Sequence, residues 1–368
     1  MPQPKSNWRA AAELGLLSST FSTIVSQLAA AQVGRDAAVD WMTVAAIPMR
    51  DAALSAPPSW HGEIAGILFH QWADSSWAIV FFGLLGRWTA GLHPLAILVL
   101  AMPWAVFTSA AEWFVLVPLF PFWQPLFTLQ QPYWIGLLVH ASSAAMYPLF
   151  AWLRWPLGVA PASGAVRIAK AWGAGALACI AILAGLALAS ALGRDVPYLA
   201  SEPAADQDYI RHMTTHHAQG IEIANLAIAH ARDPHLRALA ALMAAGQAGE
   251  NRIFDRWWRS WFGLPMPDCT AQERADMPGY LTAAQMQALR SAPPAQFDAL
   301  FVRLMSMHHM GAVKMADQAW HGSGDIRLRL MAHAIRHEQQ GEIALMHGVQ
   351  GLDAVRQATL NMLADNVN

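Results

Sequence analysis

The sequence predicts an all-α protein in two parts: an N-terminal bundle of membrane-spanning helices, then an antiparallel four-helix bundle made of a duplicated helix pair. Three observations predict it. Hydrophobic residues make up 55% of the 368 and charged residues only 13%, too apolar for an ordinary soluble chain. The excess is uneven: few side chains between Glu63 and Leu192 are charged, while from Asp206 onward the charge density is that of a soluble domain. Finally, Met213-Thr-Thr-His216-His217 recurs 92 positions later as Met305-Ser-Met-His308-His309, and Gln247-Ala-Gly-Glu250 recurs at the same interval as Gln339-Gln-Gly-Glu342.

A net charge of −2 leaves no electrostatic footprint for a nucleic-acid partner. The two cysteines, Cys179 and Cys269, cannot build a disulfide framework or a cysteine zinc site. The start shows no cleavable signal pattern. The expected domains are 1–192 in the membrane, a linker at 193–205, the bundle at 206–350 and a C-terminal tail at 351–368.

The first part begins with a short polar tail carrying Lys5. Ala10 to Gln32 is long enough to span a bilayer at roughly 20 residues and is read as a span, with an interfacial amphipathic helix as the alternative. Gly34 to Trp60 is a polar connection with Arg35, Asp36, Asp40, Arg50 and Asp51. Four stronger apolar segments follow: Ile64–Leu85, Pro94–Leu119, Tyr133–Leu153 and Ala169–Leu192, for four to five spans in all. Trp88, Trp123, Trp134, Trp152 and Trp155 sit near their ends, at headgroup depth. Arg87, Arg154, Arg167 and Lys170 mark two connections as cytoplasmic, which sends the C-terminal half to the periplasmic or outer side of a bacterial inner membrane. Inside the spans lie His70, Asp74, Glu112 and His140. Such groups are costly in hydrocarbon. They form either an ion path or a satisfied polar cluster that holds helices together.

In the second part, helical patterns run over Asp206–Ala231, Pro234–Phe262, Pro294–Trp320 and Asp325–Val349. A loop, Gly263 to Tyr280, and a short helix, Thr282 to Ser291, lie between the second and third. Short links make each pair antiparallel neighbours. One pair cannot bury its own apolar stripe, whereas two can.

At about 100° per residue, Ile210, Met213, His217, Gly220 and Ala224 line one stripe of the first helix, with His216 on its flank. Gln247 and Glu250, and Gln339 and Glu342, fall inside the apolar stripes of the second and fourth. Buried polar groups need partners. They can satisfy one another, with Met as core filler. Two His pairs, two Glu and two Met converging from four helices are also how metal sites are built in bundles. His333 and His337 fall on the far side of the fourth helix from Glu342. Most of these, with His212, His230, His235, His321 and His347, are read as solvated, with auxiliary metal sites as the alternative. Met307, Met310 and Met315 add thioethers around the second His pair.

An acidic residue and an aromatic, then M-x-x-H-H, an apolar helix and Q-x-x-E, all twice, resemble the family catalogued as domain of unknown function 305. Met277-Pro278-Gly279-Tyr280 and the run from Leu281-Thr282 to Phe297-Asp298 are similar to its middle segment. The resemblance covers Asp206 to Gly348. It implies a ferritin-like four-helix fold and, as several members bind copper in the periplasm or on the outer surface, a copper-binding role. On the matching positions it implies Met213, His216, His217, Met305, His308 and His309 as ligands, with Glu250 and Glu342 beside them.

Thioether and imidazole donors suit copper, above all Cu(I), with iron or zinc as alternatives. The expected protein is membrane-anchored and outward-facing, and it sequesters copper or hands it over. A ferritin-like dimetal oxidase would want about four Glu and two His; a structural or sensory domain would want no metal. The expected partners are a metal ion, the lipid membrane and, in a homo-oligomer, further copies of the chain.

Overall fold

The computed structural model describes residues 3–54, 58–119, 125–156 and 158–363. Trp123 and the last five residues of the tail lie outside them. Among the described residues all regular structure is helical, as the sequence predicts. The principal helices are α1 (Asn7–Ala29), α2 (Ala37–Met49), α3 (Trp60–Ile79), α4 (Pro94–Ala111), α5 (Leu126–Gln130), α6 (Tyr133–Ala144), α7 (Gly164–Ala191), α8 (Ala204–His230), α9 (Pro234–Phe262), α10 (Ala271–Asp276), α11 (Ala283–Arg290), α12 (Pro294–Gly322), α13 (Ile326–Met346) and α14 (Gly351–Leu363). They form two compact units that no single cut separates. One comprises Met1–Ala29, Ile67–Leu116 and Tyr133–Gly185; the other comprises Ala30–Gly66, Val117–Pro132 and Leu186–Asn368.

The first unit holds most of the apolar helices. Asn7–Val33, Pro94–Leu119, Tyr133–Leu153 and Gly164–Ala191 are long and apolar enough to cross a membrane. The expected span Ile64–Leu85 is helical but less apolar, because His70, Gln71, Asp74, Ser75 and Ser76 interrupt it. Leu14, Phe82, Ile97, Tyr147 and Phe150 form the core, with the Phe82 and Phe150 rings stacked at 4.0 Å. A Cβ on Gly15 would sit 2.9 Å from the Ser75 carbonyl oxygen, so α1 and α3 meet through a missing side chain. The ionisable side chains inside these helices pair with nearby polar groups or with one another. Ser22 Oγ donates to Asp74 Oδ2 at 2.9 Å and lies 3.0 Å from His70 Nε2. Trp77 Nε1 donates to Glu112, whose Oε2 is 3.2 Å from His140 Nε2, and Thr108 Oγ1 is 2.9 Å from His140 Nδ1. A π-helical turn begins at Glu112.

The second unit is built around the bundle α8, α9, α12 and α13. Asp233 and Asp325, 92 positions apart, cap α9 and α13, accepting from His235 N at 2.8 Å and Arg327 N at 2.9 Å. Ile210, Met213, Phe254, Trp257, Leu328, Met331 and Ile335 fill the core. The expected loop 263–280 contains α10, started by a capping box of Thr270 and Glu273. The expected tail contains α14, which buries Ala354, Ala358 and Asn361.

A second layer covers the bundle. The Ala30–Gly66 segment packs α2 on α9, and the Val117–Pro132 segment packs α5 on α13, beside α14. The fit depends on two glycines in equivalent places. A Cβ on Gly249 would lie 2.8 Å from Asp36 Cβ, and one on Gly341 only 2.0 Å from the Leu129 carbonyl oxygen. Arg252 Nη2 donates to Asp36 Oδ2 at 2.6 Å, and His235 Nδ1 lies 2.9 Å from Asp51 Oδ1. Arg35 bridges Asp40 and Glu338.

Candidate metal centre

All eight residues singled out in the sequence are buried: Met213, His216, His217 and Glu250 in one half, Met305, His308, His309 and Glu342 in the other. Each helix turns its apolar stripe to the bundle axis, and the polar members of that stripe go with it.

The structure sorts six of them, all but Met213 and Met305, into three contacts. His217 Nε2 lies 2.7 Å from Glu250 Oε2, linking α8 to α9. His309 Nε2 lies 2.6 Å from Glu342 Oε2, linking α12 to α13. His216 and His308 meet between the halves, with ring centroids 3.8 Å apart and planes tilted by 32°. The Gln247 amide reaches the same place: a Cβ on Gly220 would touch its Oε1 at 2.1 Å and His308 Cε1 at 2.9 Å.

Hydrogen bonding assigns the protons of two rings. His216 Nε2 is 3.1 Å from the Pro278 carbonyl oxygen, and His308 Nε2 is 3.1 Å from the His216 carbonyl oxygen. A carbonyl only accepts, so each Nε2 carries the hydrogen. Burial, with His217 next to it, lowers the His216 pKa to about 3. Burial and the His216 and His309 rings push His308 well down. Both rings are therefore neutral at physiological pH, and each Nδ1 holds a lone pair. Those Nδ1 atoms are buried without a hydrogen-bond partner, as are both ring nitrogens of His217 and His309 and both amide ends of Gln247 and Gln339. The His–Glu pairs are close, but the carboxylate lies out of line with the ring N–H, so closeness does not satisfy the ring. Buried polar atoms without partners are uncommon, and a bound ion is one of their standard explanations.

Among the described residues no three His, Cys, Asp or Glu side chains converge to hold a metal ion. A metal ion here would have to be held by the His–His or His–Glu pairs together with donors of another type, a thioether or an amide. Imidazole with thioether, low in carboxylate, fits a soft monovalent ion and not an oxygen-liganded one.

Two expectations about the outer histidines need correction. His333 and His337 are buried, not solvated. The helical wheel placed them away from the bundle axis, which is right, but α5 and α14 cover that face of α13. Burial, with His333 beside it, lowers His337 to about 3, and burial with Arg336 nearby lowers His333 to about 4. Met307 and Met310 are exposed, while Met315 is buried.

One residue of the site region was missed altogether. Gln130, at the end of α5, donates from Nε2 to Glu342 Oε1 at 3.0 Å. It lies 212 positions away from Glu342, in a connection between two apolar segments, and no local pattern marks it.

Residues 206–350 match a family described as a domain of unknown function, DUF305. Residues 206–350 are a DUF305 domain. The domain is the four-helix bundle, and the residues before 206 lie outside the match. A DUF305 fragment from Deinococcus radiodurans is 27% identical, with 42% of this chain and 97% of that chain covered and a TM-score of 0.37. CopM in the Cu(I)-bound form is 31% identical, covering 39% and 92%, with a TM-score of 0.33. CopM in the Ag-bound form is likewise 31% identical, covering 39% and 92%, with a TM-score of 0.32. No curated protein matches the chain.

Proposed function

We propose that the chain is a membrane-anchored protein that holds copper in its DUF305 domain, outside the cytoplasm, and sequesters it or hands it over. The observation that carries this reading is the set of buried imidazole nitrogens without partners on His216, His217, His308 and His309. An apolar core that leaves six ring nitrogens unsatisfied is destabilised by on the order of 1–3 kcal/mol for each orphaned group. An ion with imidazole affinity would satisfy them. His217 with Glu250 and His309 with Glu342 would hold it, His216 and His308 would offer Nδ1, and Met213 and Met305 lie on the same helices. The CopM structures are of copper-bound and Ag-bound forms, but the choice of copper here rests on this chain's own donors.

Chain connectivity supports the membrane reading. Residues 30–66, 117–132 and 186–368 pack into one unit and so share one side of a membrane. An even number of crossings must separate 30–66 from 117–132. Pro94–Leu119 is one, so the helix over Trp60–Ile79 is the other, despite its polar residues. That gives five crossings and puts the DUF305 domain opposite the Lys5 end. Arg87, Arg154, Arg167 and Lys170 then fall on the Lys5 side, the cytoplasmic one by the positive-inside rule. The exposed Leu177, Ile182 and Leu188 of α7 suit lipid as solvent.

The oxidase alternative is less well supported. The bundle core offers Glu250 and Glu342, where a dimetal carboxylate centre takes four Glu. The test is a competitive Cu(I) titration of the detergent-purified full chain, with elemental analysis of the protein as isolated. Tight binding lost on replacing the four histidines supports the reading, and no tight binding in the unaltered chain sinks it.

A further inference from the structure

The two halves of the DUF305 domain repeat one another in sequence, yet different chemistry backs each of their glutamates. The difference comes from segments outside the domain. Gly341 and Gly249 immediately precede Glu342 and Glu250, and each is the point where such a segment reaches the bundle.

At Gly341 the visitor is the end of α5. The Leu129 carbonyl oxygen would lie 2.0 Å from any Cβ there. That approach delivers the Gln130 amide, which donates to Glu342 Oε1 at 3.0 Å while Glu342 Oε2 faces His309 Nε2 at 2.6 Å. Gln130 and Glu342 are both buried. One carboxylate oxygen thus accepts from the Gln130 amide while the other lies against the His309 ring, and the carboxylate cannot turn without losing the hydrogen bond from Gln130.

At Gly249 the visitor is Asp36, whose Oδ1 accepts from Ala38 N and whose Oδ2 accepts from Arg252 Nη2. Behind it Arg35 bridges Asp40 and Glu338. Among the described residues no amide donor reaches Glu250, and its one short contact is His217. Its neighbourhood holds carboxylates and a guanidinium that are already engaged with one another.

We propose that Gln130 is a positioning residue for the His309–Glu342 half of the centre, and that it makes the two halves of the repeat unequal toward a soft monovalent metal ion. The proposal rests on the metal reading of the domain. Hydrogen bonds behind a ligand fix its orientation and its basicity, and their removal typically costs about 10–100-fold in metal affinity. Gln130 supplies that bond to one half only. Because it comes from the connection between two membrane segments, the connection takes part in metal binding and is more than a tether.

The test uses the full chain in detergent and Ag(I) as the probe, in two backgrounds. His217→Ala leaves only the His309–Glu342 half, and His309→Ala leaves only the other. Gln130→Leu should weaken Ag(I) binding by about 10–100-fold in the first background and leave it unchanged in the second. Gln130→Met, which keeps length without the donor, should do the same. A folding defect would weaken both backgrounds alike, and melting temperatures on the same samples report it directly. Equal loss in both backgrounds, or no loss in either, overturns the proposal. Ag(I) binding that survives in neither background while the unaltered chain binds means one ion shared across the axis, and that also overturns it. If the unaltered chain binds no Ag(I) or Cu(I), the metal reading itself has failed, an outcome distinct from all of these.

Discussion

The chain places His and carboxylate side chains in apolar surroundings twice, and the two places differ in whether hydrogen bonding is complete. In the first unit His70, Asp74, Glu112 and His140 all have partners in Ser22, Trp77, Thr108 or one another. In the DUF305 domain the ring nitrogens of His217 and His309 and the Nδ1 atoms of His216 and His308 have none. A closed network needs nothing more and serves to hold helices in register. An open one is stable only if something else completes it. Residue type is the same in both places; the partner inventory is what differs between them.

The strongest way to break this comparison is to alter each cluster and measure copper. Replacing His216, His217, His308 and His309 together with Ala should abolish tight Cu(I) binding, whereas Asp74→Asn should leave it unchanged in the same competitive titration. Retained affinity in the fourfold variant would remove the metal assignment. Stability should divide the opposite way. His140→Ala takes one hydrogen-bond partner each from Glu112 and Thr108, leaving Glu112 only Trp77, and should lower the unfolding free energy in detergent by about 1–3 kcal/mol. His216→Ala leaves the Pro278 carbonyl unbonded but removes an unpartnered Nδ1, so its cost should be smaller. Equal losses for the two would mean that the open nitrogens are satisfied in a way that the hydrogen-bond geometry does not reveal.

The halves of the bundle can be set against each other similarly. At Gly341 an added methyl meets the Leu129 backbone, whereas at Gly249 it meets the Asp36 side chain, which can turn aside. Gly341→Ala should destabilise by about 1–3 kcal/mol and Gly249→Ala by less, read from thermal melts. The reverse order would place the tighter contact on the Asp36 side.

The smallest expected effect concerns pH. His337 is held neutral by burial, with its pKa lowered to about 3. The unfolded chain takes up a proton near pH 6.5 that the folded chain refuses, so stability is lost as pH falls below that value. By pH 5.5 this group should account for about 1 kcal/mol. His337→Gln should flatten the stability profile between pH 6.5 and 5.5 by that amount, and an unchanged slope would show that the ring is solvated after all.

The four bundle helices, their pairing and the inward face of each were legible because period and repeat are local properties of the chain. So was the burial of all eight candidate ligands. His337 was misread because a helical wheel knows the bundle axis but not the layer that α5 and α14 lay over the outer face. Helix α10 was missed because a six-residue helix rests on its capping box, not on a hydrophobic period. Gln130 was out of reach for the same reason as the Arg35–Glu338 pair: both contacts join residues more than two hundred positions apart. Nothing in the neighbouring sequence records where such a residue will land.

The separation of Arg35 from Glu338 by 303 positions bears on how the protein is made. At about 5–20 residues per second, roughly 15–60 s pass between synthesis of the two. Through that interval the Ala30–Gly66 segment has only part of its packing surface to rest on, and α5 waits in the same way for α13. The unit can close only after the last helix arrives. Its assembly is therefore a post-translational event, and the first two connections spend the wait as unfinished surfaces open to chaperones and proteases.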